Sequence, residues 1–363
     1  MKGETVVMKQ RLTKLREALA NLGAEALITE KAENRFYLSG FSGSTGWVIV
    51  TQSEAFLVTD FRYVEQAQEQ APDFTVVNNE RKAIEAIAKL LADKGIKRLA
   101  FESSVSFGTY QEWNRAFENV ELIATSGLVE KIRMFKDESE MVIIREAVRI
   151  AEAAFEHIQG YIRPGVRETD VALELEYFMR KQGATGSAFD MIVASGVRGA
   201  LPHGRASEKI IEAGEMVTLD FGAAYNGYNS DITRTLAVGE PSAKMKEIYD
   251  IVLRAQLAGV QALKPGVSAK AADAATRDII TAAGYGDAYG HSAGHGLGIE
   301  VHELPGLSTV STFVLEPGML VTMEPGIYVS GLGGVRIEDD VLITADGHEN
   351  LGKSTKELII LPV

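Results

Sequence analysis

Asp220, Asp231, His295, Glu324 and Glu338 are the residues of this chain best suited to hold metal, and each lies in a short β-rich or Gly-rich stretch. Four carboxylates gathered at one point repel. Two charges about 4 Å apart at an effective dielectric of about 20 interact by roughly 4 kcal/mol. Two divalent cations would cancel the four charges, and one imidazole would complete an oxygen- and nitrogen-rich donor set. That combination points to a two-metal hydrolytic centre. A donor set dominated by oxygen suits Mn²⁺, with Co²⁺, Fe²⁺ or Zn²⁺ as alternatives. The chain has no cysteine, which excludes thiolate zinc centres and disulfides.

The elements that must position these residues are hairpins. Residues 217–235, VTLDFGAAYNGYNSDITRT, read as strand, Asn-Gly turn and strand. Asn226-Gly227 suits a type I′ turn because both central positions need positive φ. Counting outward pairs Tyr225 with Tyr228 and Asp220 with Thr233. Asp231 then falls on the same face as Asp220, a diagonal neighbour about 7–8 Å away. Residues 323–343, MEPGIYVSGLGGVRIEDDVLI, form a second candidate hairpin. Pairing symmetric about Gly331 places Glu324 opposite Glu338. Arg336 shares a face with Glu338 and could hold a carboxylate ligand or bind substrate. Between the hairpins lies HSAGHGLGIEVHE, which contains His291, His295 and His302. Glycines on both sides of His295 allow close backbone approach. His203 sits in ALPHGRAS, after an apolar run, whereas His157 and His348 lack such context and read as ordinary histidines.

The stretches SAFDMIVASGVRGALPHG, VTLDFGAAYNGYNSDITRT, GHGLGIEVHE, TMEPGIY and GGVRIEDD, in this order and spacing, resemble the pita-bread metallopeptidases. That family includes methionine aminopeptidase, aminopeptidase P and prolidase, with creatinase as a relative. The resemblance makes Asp220, Asp231, His295, Glu324 and Glu338 the ligands of two metals, bridged by Asp231 and Glu338. It makes His203 and His302 the active-site histidines and His291 a further one near the pocket; with the chemistry of a shared water, it makes Glu324 the candidate general base.

The first ~125 residues alternate apolar strand candidates (AEALIT, GWVIVT, EAFLVTD, FTVVN, KRLAFES) with helical patterns at Arg11–Leu22, Arg62–Gln70 and Ala83–Lys94. NRFYLSGFSGSTGW and LVTDFRYVEQA resemble the N-terminal domain of creatinase and the Xaa-Pro peptidases, a domain that typical bacterial methionine aminopeptidases lack. Asn34–Trp47 reads as a loop. The charged run VEKIRMFKDESEMVIIREAVRIAEAAF reads as a linker entering a long helix. The expected architecture is therefore α/β (α+β), a creatinase-like domain over 1–128 followed by a pita-bread catalytic domain over 129–363.

The resemblance implies a homodimer that hydrolyses small peptides containing proline, as a dipeptidase of the prolidase type or as an aminopeptidase P. A dipeptidase must grip the free proline carboxylate, for which Arg336 and Arg198 are candidates. A creatinase-like hydrolase or a non-catalytic binding module would lack the five ligand residues. Net charge of −13 and pI near 5.1 argue against nucleic acid or an anionic membrane as partner. The N-terminus lacks a signal-peptide core, which gives a cytoplasmic location as the expectation.

Overall fold

All five apolar runs picked out in the N-terminal region form strands of one six-stranded sheet. In spatial order it runs Thr75–Asn78, Ala55–Thr59, Trp47–Thr51, Ala26–Thr29, Arg98–Glu102 and Glu121–Thr125. Trp47–Thr51 is antiparallel to both neighbours and every other pairing is parallel. The computed structural model describes residues 2–363, with side chains from residue 8 onward. The chain divides into two units, one ending at Arg133 and the other spanning Met134–Val363. No helix among the described residues is long and apolar enough to cross a membrane.

One expectation fails here. The Asn34–Trp47 segment is not a loop throughout, because Ala32–Ser39 is a helix that ends on Gly40 at φ 77°. The helix escapes an apolar-periodicity test because its buried face carries Asn34, Arg35 and Ser39 beside Tyr37 and Leu38. Partners far along the chain make that burial tolerable. Asn34 donates to Glu130 at 2.9 Å and to Glu102, and its carbonyl accepts from Arg133 at 2.6 Å.

The second unit places two helix pairs against two sheets. Glu138–Ile158 and Glu168–Lys181 pack on the sheet ordered Ile360–Leu361, Ile232–Val238, Glu215–Phe221 and Ile192–Ser195. Ala243–Ala262 and Ala269–Ala282 contribute Val260, Ala269 and Ala272 to a core with Val321, Met323 and Val341 of the second sheet. That sheet runs Glu303–Leu307, Gly294–Gly296, Leu320–Met323, Asp339–Ile343 and His348–Asn350. The long helix anticipated from the charged run begins within it, with a capping box between Asp137 and Glu140. The strand Ile232–Val238 is bonded to the segment Arg336–Glu338 that leads into Asp339–Ile343. The Glu338 amide donates to the Thr233 carbonyl at 3.1 Å, and the Thr235 hydroxyl donates to the Arg336 carbonyl at 3.0 Å. These bonds join the segment carrying Asp231 to the segment carrying Glu338.

Candidate metal centre

Local turn chemistry sets the first half of the site. Asn226 and Gly227 take φ of 46° and 82°, Tyr225 pairs with Tyr228, and Asp220 lies opposite Thr233. In the second hairpin Met323 pairs with Asp339 and Gly326 with Arg336, so Glu324 falls opposite Glu338. His295 arrives on the strand Gly294–Gly296. A Cβ on Gly294 would lie 2.0 Å from the Thr322 carbonyl oxygen, and one on Gly296 2.1 Å from that of Leu304. Only glycine permits so close an approach.

The convergence is tight. One donor atom from each of Asp231, His295 and Glu338 lies within 4.8 Å of the others. His295 Nε2 is 3.8 Å from Asp231 Oδ2 and 3.4 Å from Glu324 Oε1. Asp220 joins the group while accepting from Arg336 Nη2 at 2.5 Å. These residues line a cavity of about 700 Å³ that His203, His291 and His302 also border.

The electrostatics fit divalent cations. Burial first, then repulsion from Glu338 and Asp220, pushes the Asp231 carboxyl well above its ordinary range. Burial, then Glu324 and Asp220, does the same to Glu338. Burial also raises Glu324, against the pull of His291 and Arg336. Asp231 Oδ1 is buried with no hydrogen-bond partner. His295 Nδ1 donates to the Gly296 carbonyl at 3.0 Å, a tautomer assigned from its acceptor, which leaves the Nε2 lone pair facing the carboxylates. Burial lowers the His295 pKa and keeps the ring neutral. Uncompensated acids around a neutral imidazole are what a cation pair would complete.

Arg336 is enclosed, and four of its five guanidinium N–H groups are taken up. It donates to Asp220, to Thr233 Oγ1 at 3.2 Å, to the Tyr328 hydroxyl at 2.7 Å and to the Pro202 carbonyl at 3.3 Å. Tyr328 in turn donates to His291 Nε2 at 2.9 Å, and His291 Nδ1 donates to the Ser292 carbonyl at 2.8 Å. The ring of His302 lies 4.4 Å from that of His295, centre to centre. Burial, then the neighbouring His295, lowers the His302 pKa.

Arg198 does not line the cavity. Its guanidinium pairs with Glu168, a fully buried carboxylate that also accepts from Ser195 and Ser207, and this demand pulls it away. His157 and His348 are also elsewhere. His157 pairs with Glu174 and stacks on Phe178, and His348 donates to the Leu263 carbonyl.

Residues 142–345 match the model of metallopeptidase family M24. The chain belongs to that family. Residues 11–135 match the creatinase/prolidase N-terminal domain. An Xaa-Pro dipeptidase of Pyrococcus horikoshii is 41% identical over 97% of this chain and 99% of its own length. A solved Xaa-Pro dipeptidase from Bacillus anthracis has a TM-score of 0.96 at 54% identity, covering 98% of this chain and 100% of that one. An X-Pro aminopeptidase from Thermotoga maritima has a TM-score of 0.89 at 39% identity, covering 95% of this chain and 99% of that one. M24 membership implies a dinuclear divalent-metal centre, and the fold is the pita-bread fold of prolidases.

Three residues of this M24 site escaped sequence reasoning: Tyr328, Thr233 and Thr322. Thr233 Oγ1 donates to Glu338 at 2.6 Å, and Thr322 Oγ1 accepts the His295 amide at 3.1 Å. A signal for Tyr328 was present. It shares strand parity with Glu324 and stands opposite Gly334, where a Cβ would lie 2.1 Å from the Gly199 carbonyl oxygen.

Proposed function

We propose that this M24 protein hydrolyses the Xaa-Pro bond of dipeptides, with Asp220, Asp231, His295, Glu324 and Glu338 as the ligands of its two metals. The observation that carries this reading is the meeting of Asp231, His295 and Glu338 within 4.8 Å in a cavity bordered by further histidines. The oxygen-rich donor set favours Mn²⁺. We place the working enzyme in the cytoplasm as a homodimer, on the resemblance to Xaa-Pro peptidases. When bound, two divalent cations activate a water and polarise the scissile carbonyl.

The remaining steps belong to side chains. Glu324 takes the proton of the attacking water on a carboxylate oxygen and returns it to the departing proline nitrogen. His203 and His302 orient the peptide and donate to the oxygen of the tetrahedral intermediate. Arg336 holds Asp220 at the correct angle, and Tyr328 passes that order to His291. Two arginines line the cavity among the described residues, Arg205 and Arg336. Arg336 is committed, which leaves Arg205 to meet the proline carboxylate. Its side chain is 74% exposed and pairs with an equally open Asp190 at 3.0 Å.

Aminopeptidase P activity is the second reading, supported by the Thermotoga structure. Ala-Pro and Ala-Pro-Ala assayed side by side separate the two. A dipeptidase cleaves Ala-Pro faster, and Arg205→Ala raises its KM. Faster cleavage of Ala-Pro-Ala would reject the dipeptidase assignment.

A further inference from the structure

His302 is an exposed residue with a demanding position. Its ring packs beside His295, yet among the described residues no side chain or carbonyl hydrogen-bonds its imidazole. Its location must therefore come from the backbone of the loop that carries it, residues 297–303. The Leu297 amide ties its start to the Leu320 carbonyl at 3.3 Å, and two further sets of contacts hold its remainder. On one side Asn229 binds it three times: its amide and its side chain donate to the Gly298 carbonyl at 2.9 and 3.2 Å, and its side chain donates to the Ile299 carbonyl at 2.8 Å.

On the other side the loop folds around Glu303, the residue after His302. Glu303 Oε1 accepts the Glu300 amide at 2.9 Å. A Cβ on Gly298 would lie 2.8 Å from Glu303 Oε2, so the loop wraps this carboxylate without room to spare. Lys136 Nζ donates to Glu303 Oε2 at 3.0 Å, and the two side chains are only 1% and 5% exposed. Lys136 lies in the charged run that reads as a linker, where a solvated lysine would be ordinary. Instead it is buried, just before the capped start of Glu138–Ile158, and its amide donates to the Gly318 carbonyl at 2.8 Å. A buried ion pair contributes little net stability compared with apolar residues of similar volume, because desolvation offsets the attraction. What it does supply is a fixed geometry.

We propose that Lys136 and Glu303 are positioning residues that set the place of His302 at the cavity rim by locking the loop 297–303. The proposal rests on His302 acting on substrate as described above. Lys136 touches no reacting atom and acts through the loop alone. A misplacement of about 1 Å in a catalytic group can cost about 10²-fold in rate.

The test is a double-mutant cycle on the full-length, metal-loaded protein, with selective ¹⁵N-histidine labelling as an independent readout. The six histidines give a simple spectrum, and His302→Ala assigns the relevant signal. Lys136→Met and Glu303→Gln should each lower kcat for Ala-Pro by about 10-fold or more, with KM within about threefold of the parent and both metals retained. In a His302→Ala background Lys136→Met should add nothing further. The His302 resonance should shift or broaden while that of His157 stays in place. Lys136→Arg, which keeps the charge, should restore most of the loss and carries the test if Lys136→Met does not fold. An equal loss with and without His302, or an unmoved His302 resonance, would overturn the proposal. A parent enzyme inactive on all Xaa-Pro peptides would instead sink the functional reading, and the histidine spectra would still decide this one.

Discussion

Glu338 and Asp339 are consecutive, both buried, and opposite in kind. Asp339 is answered within the protein: Arg234 donates at 2.6 Å, Gln256 at 3.0 Å and Asn350 at 2.9 Å, and Lys356 completes the set. Burial pushes its carboxyl up, but Arg234 and Lys356 outweigh that and hold it below the ordinary value. Glu338, immediately before the strand that Asp339 begins, is driven up by burial and then by Glu324 and Asp220. Alternation with period two sends one acid into a satisfied network and the next into an unsatisfied one. Burial alone therefore does not mark a functional carboxylate.

Breaking the unsatisfied side should have the largest consequence. Glu338→Gln or Asp231→Asn should lose at least one metal and reduce kcat/KM by about 10²–10³-fold or more. Chelation should abolish activity and Mn²⁺ or Co²⁺ restore it, as metal analysis beside the assay will show. Full activity in a sample verified free of metal would reject the two-metal centre.

The histidines come next. His203→Ala and His302→Ala should lower kcat by about 10²–10³-fold with metal content near normal, while His295→Ala should lose metal. Equal metal loss in all three variants would mean that the roles are wrongly divided. His157→Ala serves as a control and should leave kcat unchanged.

On the satisfied side the damage should be to folding. Asp339→Leu leaves Arg234 and Lys356 buried without their partner, so denaturant unfolding should show a loss of about 3–5 kcal/mol. The folded fraction should still bind two metals. A variant of parental stability would show that the network is not structural.

The smallest effect is a contrast in pH dependence. In chelated protein Asp231, Glu324 and Glu338 are raised above 3.8, 4.5 and 4.5, so the folded state binds more protons than the unfolded state above those values. Their favourable contribution is present in acid and is lost as pH rises through the folded pKa values. Asp339 behaves oppositely, because its lowered pKa gives stability above 3.8 that is lost as pH falls. Melting of chelated and metal-loaded samples between about pH 5 and about pH 8 should show a gap that widens with pH. A constant gap would contradict the assignment of the unsatisfied acids.

The sequence alone determined whatever depends on near neighbours and fixed periods. The Asn226-Gly227 turn sets Asp220 opposite Thr233, and symmetry about Gly331 sets Glu324 opposite Glu338, because turn type and strand alternation are local. The glycines around His295 signalled a crowded approach for the same reason. Which charge answers which depends on the folded chain. Arg198 goes to Glu168 and Arg336 to Asp220, a partner 116 residues away. Lys136, in a run that reads as a linker, pairs with Glu303, 167 residues on, and Asn34, on a helix where a loop was expected, bonds Glu102, 68 residues away. A charged side chain has the same appearance in sequence whether it is solvated or buried. Only the fold's demand that each buried charge find a partner tells the two apart.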